Sequence, residues 1–129
     1  MSEYTIVNLK EVEDQAPKWN LSPDLEARFA RVALDAELVG LTYQRLAPNY
    51  TVPWGHTHKT QEEVFLVLNG SMEVKVGDEI KQLGQWDAIR VNKDTPRGFR
   101  AGPEGVEMLA IGCPGGPGDA VNIDGYWDE

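Results

Sequence analysis

The stretch His56-Thr57-His58-Lys59-Thr60-Gln61-Glu62-Glu63-Val64-Phe65-Leu66-Val67-Leu68-Asn69-Gly70 decides how this chain is read. It joins the only two histidines of the sequence to a pair of carboxylates and to an apolar run that ends in a turn-forming dipeptide. In an extended strand, residues i and i+2 project from one face about 7 Å apart, so both imidazoles can reach one cation at about 2.1 Å each. The short connection 59–61 lets the next strand fold back beside the first and bring a carboxylate to the same place. Two neutral nitrogens and one carboxylate suit iron, manganese, nickel or zinc and leave coordination positions open. An exposed polar strand end is the plainer alternative, and these residues alone leave it open.

Outward from this stretch, short apolar runs at 41–46, 52–58, 63–68, 72–76, 79–83, 88–91, 98–101 and 106–111 read as strands. They leave no room for crossover helices. Asn69-Gly70 and Gly77-Asp78 match two-residue hairpin loops, whose positive φ values suit Gly, Asn and Asp. Successive hairpins mean antiparallel pairing, and an open sheet of so many strands would leave adhesive edges. An all-β antiparallel barrel or double-sheet jelly roll is therefore expected over residues 39–113.

Residues 1–38 are expected as an N-terminal extension packed on the barrel. They carry a weak β signal at 4–9, and around Ser22-Pro23 a segment that reads either as a capped helix or as a strand, with strand preferred. Residues 114–129 form a tail that opens with Pro114-Gly115-Gly116-Pro117-Gly118, and Tyr126 and Trp127 are expected to dock it on the barrel.

Thirteen glycines and eight prolines among 129 residues fall between the apolar runs, which favours many short strands over a few long helices. Acidic residues outnumber basic ones 21 to 12, for a net charge of −9. Such a surface repels phosphate backbones and anionic lipid, so neither nucleic acid nor membrane is expected as a partner. Cys113 is the sole cysteine, which rules out an internal disulfide; it reads as a small buried side chain at a strand end. With an early acid at Glu3 and no apolar h-region, the chain is expected to be cytoplasmic.

The histidine stretch resembles the first motif of the cupin superfamily: Gly, five residues, His-x-His, three or four residues, Glu, six residues, Gly. His56, His58, Glu63 and Gly70 match it, the register selects Glu63 over Glu62, and the opening Gly falls on Tyr50. The second cupin motif is eroded, its markers falling on Trp86, Asn92, Asp94, Arg97 and Ala101. The resemblance implies a small single-domain cupin of bacterial type, with a divalent metal (Fe, Mn, Ni or Zn) on His56, His58 and Glu63.

In metal-binding cupins the second-motif histidine is the fourth ligand, and here Arg97 stands in its place. A guanidinium cannot ligate a cation. Arg97 then either faces an anionic ligand beside a three-ligand metal, or pairs with Glu63 in a metal-free pocket, or is a solvated strand-end residue. Two functions follow from the resemblance. One is a metal-assisted enzyme, such as a dioxygenase or isomerase, acting on a small anionic molecule. The other is a metal-free ligand-binding or sensor module that uses Arg97 with aromatic walls at Trp54 and Phe99. A homodimer is expected, because small cupin-like barrels pair through sheet edges and the 4–9 strand lacks a partner in its own barrel.

Overall fold

The computed structural model describes residues 3–128 as eight strands and three short 3-10 turns. The strands are β1 (Leu25–Phe29), β2 (Gly40–Leu46), β3 (Trp54–His58), β4 (Glu62–Val76), β5 (Glu79–Leu83), β6 (Ala88–Val91), β7 (Arg97–Cys113) and β8 (Ala120–Asp124). Strand β4 alternates as a half-buried strand should, with Glu63, Phe65 and Val67 and then Met72 and Val74 buried while their neighbours are more exposed. It runs antiparallel to the similarly long β7 from Glu62↔Cys113 to Val76↔Arg97.

Two features bend this long pair. The register shifts between Val67 and Asn69 and again between Gly70 and Met72. Gly70 has φ +79° and faces Gly105 at φ +81°; a Cβ on Gly70 would lie 2.0 Å from the Gly105 carbonyl oxygen. Asn69-Gly70 is thus a bulged corner in a continuous strand rather than the expected hairpin. Its left-handed glycine serves a bend because β7 accompanies the chain through it. Segments 98–101 and 106–111 likewise merge into β7. Gly77-Asp78 does form a hairpin, closing Val76↔Glu79.

Bending lets β4 and β7 serve two sheets. Beyond the corner β7 pairs with β2, and β2 with β1, while the first half of β4 pairs with β6. Before the corner β7 meets β3 at His56↔Arg97, β3 pairs with β8, and the second half of β4 pairs with β5. The result is an all-β antiparallel jelly-roll barrel whose core packs Leu25, Leu46, Phe65, Val67, Met72, Val74, Phe99 and Met108. No helix among the described residues is long and apolar enough to cross a membrane.

The segment around Ser22-Pro23 leads into strand β1. Residues 4–9 form no strand: Tyr4 and Ile6 are exposed, and a 3-10 turn follows at Leu9–Glu11. The free edge of β1 is met instead by Asp14, which bridges Arg28 and accepts the Ala27 amide on Oδ1 at 2.9 Å. No strand at 4–9 is left to pair with a second copy, which removes one of the two grounds for the expected homodimer. Cys113 is exposed, because β7 ends there beyond the packed face. The tail contains β8, which pairs with β3 from Trp54↔Asp124 to His58↔Ala120. Tyr126 is buried and closes over Gly55 and Gly98, where an added Cβ would sit 2.5 and 2.8 Å from its ring.

Buried Glu26 on β1 gathers three cations: Lys10 Nζ at 2.5 Å, Arg28 Nε at 2.6 Å and its cross-strand partner Arg45 Nε at 3.1 Å. Burial alone would raise its pKa, but these hydrogen bonds outweigh burial and hold it at about 2 rather than 4.5. Glu26→Gln should lower the unfolding free energy by about 1–3 kcal/mol at neutral pH, read by urea denaturation. A depressed folded-state pKa contributes stability that is complete above pH 4.5 and is lost as pH falls toward 2, so the variant should show a flatter acid limb across that window. Gly98→Ala should cost about 1–3 kcal/mol by forcing Tyr126 and Trp127 off the barrel, whereas Gly84→Ala, with room for its Cβ, should stay within about 0.5 kcal/mol in thermal denaturation.

Candidate metal centre and its cavity

Strand alternation on β3 turns Trp54, His56 and His58 to the barrel interior, while Gly55 packs under Tyr126 on the outer side. On β4 the same alternation turns Glu63 inward with Phe65 and leaves Glu62 exposed, paired with Arg90 at 3.2 Å. His56 Nε2 lies 3.2 Å and His58 Nε2 2.9 Å from Glu63 Oε1, and one ligand atom from each of the three residues lies within 4.8 Å of the others. Burial pushes the Glu63 carboxyl up, but the hydrogen bond from His56 and the charge that His56 and His58 carry when protonated outweigh it and bring its pKa down to about 2. Glu63 is therefore ionised at neutral pH.

Asp119, in the tail just before β8, approaches His58 from behind, with Oδ2 3.0 Å from Nδ1. The same carboxylate accepts the Thr60 and Gln61 amides and the Thr60 hydroxyl, fixing the β3–β4 turn. Burial raises the Asp119 pKa, and these bonds more than reverse that. His58 Nε2 is buried, lies beside Glu63 and has no hydrogen-bond partner despite the 2.9 Å separation.

These donors fit a divalent cation. Two ligands at about 2.1 Å and at right angles stand about 3 Å apart, close to the two separations seen here. Asp119 behind His58 supplies the outer carboxylate that metal-bound imidazoles usually have.

The guanidinium of Arg97 is fully buried. Nη2 donates to the Asn92 carbonyl at 2.8 Å and the Val91 carbonyl at 3.3 Å, Nη1 to the His56 carbonyl at 3.4 Å, and Nε stands 3.8 Å from Glu63 Oε1. Burial lowers its pKa and the Glu63 charge partly offsets this. Arg97 is not among the described residues that line the cavity, and its full burial rules out the solvated strand-end residue considered from its place in the motif. It sits behind Glu63 as a buried counter-charge, since the carbonyls at 56, 91 and 92 hold its fork.

The histidines and Glu63 open on a cavity of about 580 Å³ that Trp54 and Phe99 also line. Sequence reasoning missed the other walls, notably Trp19 and Phe29, which meet edge to face with ring centroids 5.9 Å apart; Trp19 meets Trp54 at the same distance. It also missed Arg31, the only Lys or Arg among the described lining residues. All three lie in the segment whose secondary structure was ambiguous or unassigned, so nothing in the sequence aimed them at the site. Asp119 gave no local signal either; only the pairing of β8 with β3 brings it to His58.

A family model described as a cupin domain matches residues 42–112, more than half of the chain. Among curated proteins, none matches. Solved structures similar in fold include a cupin protein from Bacteroides fragilis, 19% identical, covering 91% of this chain and 89% of that one with a TM-score of 0.73. The polyketide cyclase RemF from Streptomyces resistomycificus is 23% identical, with 95% and 86% covered and a TM-score of 0.72. Oxalate decarboxylase from Bacillus subtilis is 21% identical over 92% of this chain but 33% of its own, with a TM-score of 0.75. With the matched residues spanning β2 through β7 and a jelly-roll barrel around a His-x-His and Glu cluster, this chain belongs to the cupin family.

Proposed function

We propose that the protein binds a small molecule in the barrel on a divalent metal held by His56, His58 and Glu63, as a metal-assisted enzyme of the dioxygenase or isomerase kind. The observation that carries this reading is the unpartnered, buried Nε2 of His58 standing 2.9 Å from an ionised carboxylate, which asks for a cation between them. A bound ion would supply Lewis acidity, with positions open to the cavity. The cavity walls are mainly aromatic and aliphatic, which suits a ligand with a ring-bearing or apolar body. Arg31 replaces Arg97 as the residue that would pair with an anionic group on it. The relatives differ in what they do, so fold alone does not select the reaction.

A second reading, a metal-free binding module, is favoured by one feature: the Arg97 charge 3.8 Å from Glu63 already offsets the carboxylate. Elemental analysis of protein purified without chelator or affinity tag, repeated after reconstitution with iron, manganese, nickel and zinc, separates the two. One ion per chain is expected, lost in His56→Ala and in His58→Ala and kept in Glu62→Ala, whose side chain faces outward. Wild-type protein that binds none of the four better than the alanine variants would leave the metal-free module. Arg97→Ala should destabilise by about 3–5 kcal/mol in chemical denaturation, because it strips a buried carboxylate of its counter-charge. A change under about 1 kcal/mol would show that Arg97 contributes no more than a surface ion pair.

A further inference from the structure

We infer that Asp119 is a positioning residue that sets the tautomer of His58, leaving Nε2 bare to face Glu63 and the cavity. The inference rests on the metal reading for its purpose, though not for its geometry.

The proton count on the Asp119 carboxylate carries it. Oδ1 accepts the Thr60 amide at 3.0 Å and the Thr60 hydroxyl at 2.7 Å; Oδ2 accepts the Gln61 amide at 3.0 Å and meets His58 Nδ1 at 3.0 Å. Backbone amides can only donate, so both oxygens are acceptors here and the carboxylate has no proton to offer. His58 Nδ1 must then be the N–H. A neutral imidazole carries a single ring proton, so Nε2 holds a lone pair.

That lone pair stands beside a negative charge. Nε2 lies 2.9 Å from Glu63 Oε1 and makes no hydrogen bond there. Left to itself, Glu63 would draw the ring proton to Nε2, where it could donate to the carboxylate. Asp119 competes for the same proton from the other side and is the aligned partner: three donors of the β3–β4 turn hold its Oδ2 in hydrogen-bond geometry with Nδ1, whereas Glu63 Oε1 has no such alignment with Nε2. The ring is thus kept with its basic atom toward the site, at the cost of an unfavourable contact that a cation would relieve.

Asp119 lies far in sequence from the motif and outside the matched residues 42–112. It reaches the site because β8 pairs with β3, setting His58 opposite Ala120.

With two histidines in the chain, long-range ¹⁵N–¹H correlation spectra of the imidazoles resolve the question directly. Spectra are recorded on metal-free protein at a pH where the rings are neutral, with His56→Gln to assign the signals. Wild-type His58 is expected as the Nδ1–H tautomer and Asp119→Ala as predominantly Nε2–H. In parallel, Zn²⁺ alone is titrated into both proteins, with affinity expected to fall about 10- to 100-fold in the variant.

A wild-type His58 protonated at Nε2 would overturn the inference whether or not the variant folds, as would an unchanged tautomer in a folded Asp119→Ala. An Nδ1–H tautomer that Asp119→Ala reverses, in a wild-type protein that binds no Zn²⁺, would uphold the positioning role and sink the metal reading instead.

Discussion

The antiparallel pair β4–β7 is the constraint from which the rest of the molecule follows. Two strands of 15 and 17 residues stay hydrogen-bonded while both turn a corner, so each lends one half to either sheet. The bend needs an approach of backbone to backbone that Gly70 and Gly105 permit and any Cβ would block. Once it is made, the inner faces of the two halves enclose a single core. Every other strand is added at an edge.

The site inherits its geometry from the same pleat. Glu63 opens β4 on the face that further along carries Phe65 and Val67, and His56 stands opposite Arg97, the first residue of β7. A one-residue slip of β4 would exchange Glu63 for Glu62 and turn Phe65 outward, so packing of the apolar core and placement of the carboxylate are the same requirement. Arg97 shows the converse. Facing inward at the end of β7, it finds no water and instead reaches three carbonyls, and its charge is spent on Glu63 rather than on the cavity.

Local patterning made much of this legible. Alternation identified the strand segments between 41 and 111, though not β8, and the i, i+2 spacing with the choice of Glu63 over Glu62 marked out the three residues that the fold brings together. Long-range pairing was not legible. Asn69-Gly70 has the composition of a hairpin turn, and only the continuing partner strand makes it a bulge. Arg97 was visible as the departure from the motif, but its direction depends on carbonyls contributed by β3 and by the β6–β7 turn. Asp119, Trp19, Phe29 and Arg31 come from segments with weak or no periodicity, and they reach the cavity through pairings at sequence separations that no local pattern encodes.

The docking of Tyr126 on Gly55 and Gly98 bears on the order in which the protein can assemble. Strand β3 meets β7 in the ladder at a single residue pair, whereas it pairs with β8 at five. The strand that carries both histidines therefore gains most of its lateral support, and the backing of its outer face, from residues 119–126. The histidine strand thus keeps one side unpaired until β8 docks, so organisation of the ligand cluster waits on the segment that also brings Asp119.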